Sequence, residues 1–350
     1  MGQLRAAVWR KLSVALPSCR RAKSKRGSEN SAMLRSVLCI AIVVLLLGVR
    51  RDDAFAQTRL RASYGSLAVS QVVLPLGVRA GIFQKNGINI EPIYIGGRSV
   101  SALISGDVQF GFMGGPPAIL ARMAGADVVA IAGLNGLDQI LVSIPAIKRG
   151  TDLVGKRVGI SRFGTTADYG ARISLKKLKL QPQKDVTLIQ IGDTPARIGG
   201  MLSGAIEAAT LSSSEKELAS QHGFRLLVDN ADVEFPGNAV VTTRAYLKTN
   251  REDVKRLLRG LVELIHFAKT QPERTKKMLQ ELYRQNDQSV IGKRYEAMVE
   301  MFPDYPYITK GAVQSFLEIL RDEGNAKDPI DPESFIEMSL LREVEKERRR

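Results

Sequence analysis

Four short segments of this 350-residue chain set glycine beside hydroxyl or arginine side chains just after an apolar run. They are Tyr64-Gly65-Ser66, Gly96-Gly97-Arg98-Ser99, Met113-Gly114-Gly115 and Arg162-Phe163-Gly164-Thr165-Thr166. Glycine leaves backbone N–H groups bare, serine and threonine add O–H donors, and arginine adds a fixed positive charge, which together suit capture of a small anion. A charge-assisted hydrogen bond is worth about 1.5 to 3 kcal/mol, so a few of them reach the roughly 8 kcal/mol of a micromolar complex. The candidate ligand set is Tyr64, Gly65, Ser66, Gly97, Arg98, Ser99, Gly114, Gly115, Arg162, Thr165 and Thr166, joined by Ser212, Ser213 and Asn238 beside two later apolar runs. Each has a plainer reading. Glycine after a strand is ordinary turn chemistry, exposed arginines are commoner than ligand clamps, Tyr64 can simply close a sheet, and Ser214 can cap a helix over 215–222.

Catalysis has little to stand on. His222 and His266 are the only histidines and lie far apart, without an H-E-x-x-H arrangement, so neither a metal site nor a general base is assigned. No Walker loop, G-x-S-x-G elbow or dinucleotide fingerprint is present. The reading is of a binder rather than an enzyme, with no catalytic residue, no metal and no cofactor.

The elements that must position these turns follow from the apolar pattern. Short β-rich runs over 60–64, 88–95, 108–113 and 128–132 alternate with amphipathic segments over 68–80, 100–104 and 118–123. Gly81, Gly87, Gly106 and Gly125 fall where those helices end or turn. The alternation restarts near Thr151. The segment 152–160 reads as a turn delivering a fresh buried strand, and further strands are expected over 186–191, 206–211, 226–228 and 239–242, with helices over 167–178, 196–202 and 215–222. Beyond Arg251 the chain is mostly helical, and Val254, Leu257, Leu258, Leu261 and Leu264 form one apolar face. Two α/β blocks followed by a strand-poor tail imply two lobes, with the tail returning to the first. The expected fold is α/β, with two mixed sheets flanked by helices and two crossover strands near 141–144 and 238–242 as the hinge. The corresponding divisions are 57–143 and 240–350 for lobe one and 144–239 for lobe two. A cleft between lobes is a preferred place for a small ligand, and in open α/β sheets it forms at the carboxyl ends of the strands.

The formal net charge of +15 resembles a nucleic-acid signal until its location is considered. Residues 1–56 carry eleven Lys or Arg against three acids, which leaves about +7 for the rest, without interleaved aromatic and basic residues. No nucleic-acid partner is expected. Basic residues from Arg20 to Arg35, the apolar run over 37–49 and Ala54-Phe55-Ala56 before Gln57 read as a secretory signal peptide cleaved near Ala56/Gln57. The run is shorter than the roughly 20 residues of a membrane span. A start at Met33 gives a more compact signal, leaving residues 1–32 as an upstream extension; either start fits. Cys19 and Cys39, the only cysteines, precede the cleavage point, so the exported chain has no thiol or disulfide.

Several segments, in order, resemble the nitrate/sulfonate/taurine group of transporter substrate-binding proteins, which includes binders of thiamine-pyrimidine precursors. They are Gly77-Val78-Arg79-Ala80-Gly81-Ile82-Phe83, Gly87-Ile88-Asn89-Ile90-Glu91, Ser101 to Gly111, Gly115-Pro116-Pro117-Ala118, Asp152 to Gly159 and Met201 to Ala209. The resemblance runs from Leu60 to about Glu345. It implies a type II periplasmic-binding-protein fold and a periplasmic monomer that delivers a small solute to an ABC transporter permease with its ATPase. The same fold also occurs in pyrimidine-forming and menaquinone-pathway enzymes, and a sensor that docks on a membrane receptor is a further alternative.

Overall fold

The alternation of apolar runs with amphipathic segments builds two sheets of the same topology. A computed structural model describes residues 58–326 and 330–349; the expected signal peptide, its cleavage point and both cysteines lie outside the described residues. In the first lobe β1 (Thr58–Tyr64) is followed by α1 (Val69–Arg79) and α2 (Ile82–Lys85), and β2 (Ile88–Tyr94) by α3 (Ser99–Ile104). Next, β3 (Phe110–Gly114) leads to α4 (Gly115–Met123), and β4 (Val128–Asn135) leaves the lobe. In the second lobe β5 (Gln139–Ser143) arrives, β6 (Arg157–Ile160) precedes α5 (Thr166–Lys177), and β7 (Thr187–Gln190) precedes α6 (Thr194–Leu202). Then β8 (Ala208–Ser212) runs to α7 (Lys216–Gln221), and β9 (Arg225–Asp229) leaves. The chain re-enters the first sheet as β10 (Asn238–Thr243) and continues as α8 (Arg244–Thr249), α9 (Arg251–Thr270), α10 (Pro272–Tyr283), α11 (Gln288–Met301), α12 (Lys310–Asp322) and α13 (Ser339–Arg348).

The sheet orders are β2-β1-β3-β10-β4 and β7-β6-β8-β5-β9. In each, the first strand pairs in parallel with the second and third, and the strand arriving from the other lobe inserts antiparallel. Strands β1, β2 and β3 therefore correspond to β6, β7 and β8. The four turn glycines expected at helix ends all adopt positive φ, which only glycine takes without a Cβ penalty.

The position of the crossings differs from the sequence reading. The run over 141–144 belongs to β5, an interior strand of the second sheet, and that over 238–242 to β10, an interior strand of the first. Their apolar character comes from burial on both faces, not from spanning the lobes. The chain crosses a few residues earlier, at 136–138 and 230–237, ahead of the expected divisions at 143 and 239.

These two connectors run against each other. A Cβ on Gly237 would fall on the Gly136 carbonyl, while Asn238 N–H donates to Asn135 Oδ1 at 2.6 Å and the Gly237 carbonyl accepts from Gly115 N–H at 2.8 Å. Overpacking of this kind costs about 1 to 3 kcal/mol. Gly237→Ala is expected to lower the melting temperature by about 2 to 12 °C in a thermal denaturation scan; an unchanged value would show that the connectors separate freely.

Helices α9, α10, α11 and α13 pack on the first sheet. Val254, Leu257, Leu258, Leu261 and Leu264 are fully buried against the first sheet, with Leu279 of α10, Ile291 of α11 and Leu341 of α13 in the same core. Helix α12 has another role. Its Phe316 meets Tyr169 of α5 edge to face, with ring centroids 4.7 Å apart, and packs on Phe235 of the second connector, so one apolar cluster joins both lobes behind the hinge.

Candidate functional site

The turns after β1, β2 and β3 face those after β6, β7 and β8 across a cavity of about 450 Å³. Nine of the residues expected from sequence line it: Gly65, Ser66, Gly97, Ser99, Gly114, Arg162, Thr166, Ser212 and Asn238. Helices α1 and α5 begin at the cavity with no side-chain cap, so their first-turn N–H groups and positive dipole ends point where an anion would sit. Helix α4 also begins there, but Pro116 and Pro117 lack an N–H and Gly115 N–H is spent on the Gly237 carbonyl, so it offers only its dipole.

Five expected residues lie outside the lining. The Tyr64 ring packs on Tyr94 at 5.3 Å, and Arg98 is exposed at the end of a short 3-10 turn. Gly115 is held by its bond to the Gly237 carbonyl. The Thr165 hydroxyl donates to the Arg162 carbonyl at 2.6 Å, and Ser213 donates its N–H and its hydroxyl to the Asp138 carbonyl at 2.7 and 3.1 Å. These groups shape the turns from behind.

Two of the lining residues act differently from the sequence reading. The Ser212 hydroxyl donates to Asp138 Oδ2 at 2.9 Å and accepts from Ser214, so it is turned inward rather than held out to a ligand. Burial pushes the Asp138 carboxyl up, while the bonds from Gln139 and Ser212 oppose the shift. Asn238 belongs to a chain of side chains under the first lobe's turn: Gly65 N–H donates to Gln71 Oε1 at 2.7 Å, Gln71 Nε2 to Asn238 Oδ1 at 2.7 Å, and Asn238 Nδ2 to Ser70 at 3.1 Å. Ser99 Oγ and Gln139 Oε1 are buried beside the cavity without a hydrogen-bond partner among the described residues.

The largest omission of the sequence reading is Arg197. It lies on the first turn of α6, lines the cavity and is 6% exposed. Its guanidinium donates to the Thr210 carbonyl, to Thr210 Oγ1 at 3.2 Å, to Thr194 Oγ1 at 3.2 Å and to the Asp193 carbonyl at 3.4 Å. Among the described residues no carboxylate lies within ion-pair distance of it. Burial pulls the group down to about 10, opposed by the charges of Asp193 and Glu215 farther off, which leaves it cationic at neutral pH. A buried charge without a counter-ion costs several kcal/mol, and a cation on the first turn also opposes the helix dipole. That dipole conflict is the signal available in the sequence.

Two contacts span the cavity mouth. Tyr94 of the first lobe donates its O–H to Asp193 Oδ2 of the second at 3.3 Å; burial and the Asp193 charge hold the phenol proton on. Arg162 of the second lobe lies over Gly97 of the first, and a Cβ on Gly97 would fall inside its guanidinium. Gly97→Val is therefore expected to push the guanidinium aside and weaken ligand affinity severalfold without changing the melting temperature; calorimetric titration beside a thermal scan reads both.

Residues 75–275, more than half of the chain, match the NMT1/THI5-like family. The protein belongs to that family. The NMT1/THI5-like chain is 26% identical over 277 residues to a protein of Brucella abortus (strain 2308) that carries a provisional assignment as a binding protein, covering 73% of this chain and 82% of that one. It is 30% identical over 141 residues to the taurine-binding periplasmic protein of Escherichia coli (strain K12), covering 39% of this chain and 42% of that one. Among solved structures it is similar to the alkanesulfonate-binding protein SsuA of Xanthomonas axonopodis pv. citri bound to MOPS, with a TM-score of 0.69 at 16% identity over 80% of this chain and 98% of that one. The periplasmic nitrate-binding protein NrtA of Synechocystis PCC 6803 gives 0.68 at 16% identity over 83% and 89%. The family resemblance seen in the sequence is correct, and these structures share the two-lobed fold.

Proposed function

We propose that the protein is an extracytoplasmic solute-binding protein that holds a small anion in the interlobe cleft and delivers it to the permease and ATPase of an ABC importer. The observation that carries this is Arg197, a buried cation in the cavity wall that the protein itself does not neutralise. A bound oxyanion supplies the missing counter-charge and takes the spare guanidinium hydrogen together with the free N–H groups of α1 and α5. The ligands named for the taurine, alkanesulfonate and nitrate proteins all carry a compact oxyanion, which supports the same class here. Capture rather than turnover fits a wall in which neither histidine takes part. Export through a cleaved signal peptide and action as a monomer in the periplasm complete the reading.

A thermal-shift screen of sulfonates, nitrate, carboxylates and pyrimidines tests it. Ligand at about 100 times its Kd adds about 2.7 kcal/mol, which for a chain of this size raises the melting temperature by roughly 5 to 10 °C. A shift for an anion that is recovered unchanged after long incubation supports the proposal. No shift with any anion, or chemical conversion of the one that binds, contradicts it.

A further inference from the structure

Arg162 is not accounted for by a single anion at Arg197. It stands in the turn between β6 and α5, and its guanidinium reaches across the cleft to lie over the Gly97 backbone, in space that only a residue without a Cβ leaves open. Among the described residues its side chain has no ion pair and no hydrogen bond, while its backbone carbonyl accepts from Thr165. Among the described residues the cavity wall holds one carboxylate, Asp193. That group is engaged, accepting from Ala196 N–H at the start of α6 and from the Tyr94 hydroxyl. It also offsets the dipole of its own helix. Two arginines thus share a chamber of about 450 Å³, both in the second lobe's share of the wall, and no carboxylate pairs with either. Each cation is thus left to pair with an acidic group of the ligand.

We propose that the ligand carries two acidic groups, one held by Arg197 and the other by Arg162 as it spans the cleft to Gly97. The class is a short disulfonate, sulfocarboxylate or dicarboxylate, whose second charge bridges the lobes and favours their closed arrangement. This rests on the anion-capture reading and narrows it. Nitrate and a simple alkanesulfonate each offer one acidic group, which leaves the second cation unanswered.

The test is calorimetric titration with matched pairs, 3-sulfopropanoate against propane-1-sulfonate and butanedioate against butanoate, at one ionic strength. In the unaltered protein the dianion of at least one pair should bind about tenfold or more tightly, the effect of one charge-assisted contact. That ratio should fall to near one in Arg162→Gln and be retained in Arg162→Lys, with melting temperatures checking that both variants fold. Equal affinities within both pairs, or a ratio that survives Arg162→Gln, would overturn the proposal while leaving anion capture at Arg197 standing. Absence of binding by every anion would overturn both together.

Discussion

Replacing Arg197 with methionine is expected to weaken anion binding at least tenfold while leaving the melting temperature unchanged or raised. A structural arginine behaves in the opposite way, because its loss strands a partner. Here the partners are the carbonyls of Thr210 and Asp193 and the hydroxyls of Thr194 and Thr210, and the Thr210 hydroxyl retains its own bond to the Ala167 carbonyl at 3.1 Å. What methionine removes is a buried cation with no ion-pair partner among the described residues, and replacing a buried charge by a well-packed apolar side chain is often neutral or stabilising. The loss of affinity follows from the charge-assisted hydrogen bond of the spare guanidinium hydrogen, at about 1.5 to 3 kcal/mol. Titration and a thermal scan on the same preparation read the two effects. A fall in melting temperature with little change in affinity would assign Arg197 to the scaffold instead.

The second large effect lies behind the cleft, where Glu215 and Arg294 form a buried ion pair at 2.6 Å with side chains 3% and 8% exposed. Glu215 follows β8, and Arg294 projects from α11 with its guanidinium over the Tyr283 ring at 3.8 Å, so the pair ties the C-terminal helices to the second lobe. Arg294→Met leaves a carboxylate buried alone. The expected cost is about 3 to 5 kcal/mol, or a fall of roughly 6 to 20 °C in melting temperature. Glu215→Met combined with Arg294→Met should recover most of it. Burial pushes the Glu215 carboxyl up, and the Arg294 and Arg197 charges oppose that shift. Without Arg294 the carboxyl rises further. A carboxyl whose folded-state value lies above its unfolded one favours the folded state when protonated, so the deficit of Arg294→Met should shrink as pH falls toward 5 and widen above neutrality. A deficit that does not vary with pH would point to lost packing on Tyr283 rather than to a stranded charge.

Much of this molecule is legible in its sequence because burial writes itself into periodicity. The stripe from Val254 to Leu264 identifies α9 and its buried face without help, and the glycines that end helices mark their own turns by the backbone they alone adopt. The strand-to-helix turns are legible for the same reason, and nine of the fourteen residues taken from them line the cavity. The remainder depends on contacts between distant parts of the chain. Arg98 and Arg162 both follow a strand in a glycine-containing turn, yet only Arg162 enters the wall, because a 3-10 turn carries Arg98 to the surface. Gln71 gains its part through Asn238, 167 residues away. Arg197 is hidden inside an amphipathic helix, where its neighbours Ile198 and Met201 mark a face that packs inward. The crossings are misplaced because β5 and β10 are as apolar as any interior strand, and only pairing shows which sheet each joins.

The most direct test of the central claim is a crystal structure of the protein with the tightest-binding anion from the thermal screen. The account predicts an acidic group of that ligand within hydrogen-bond distance of the Arg197 guanidinium, between the carboxyl ends of β6 and β8 and facing the turns of the first lobe. A ligand seated elsewhere on the molecule, or one in the cleft whose acidic group points away from Arg197, would contradict it.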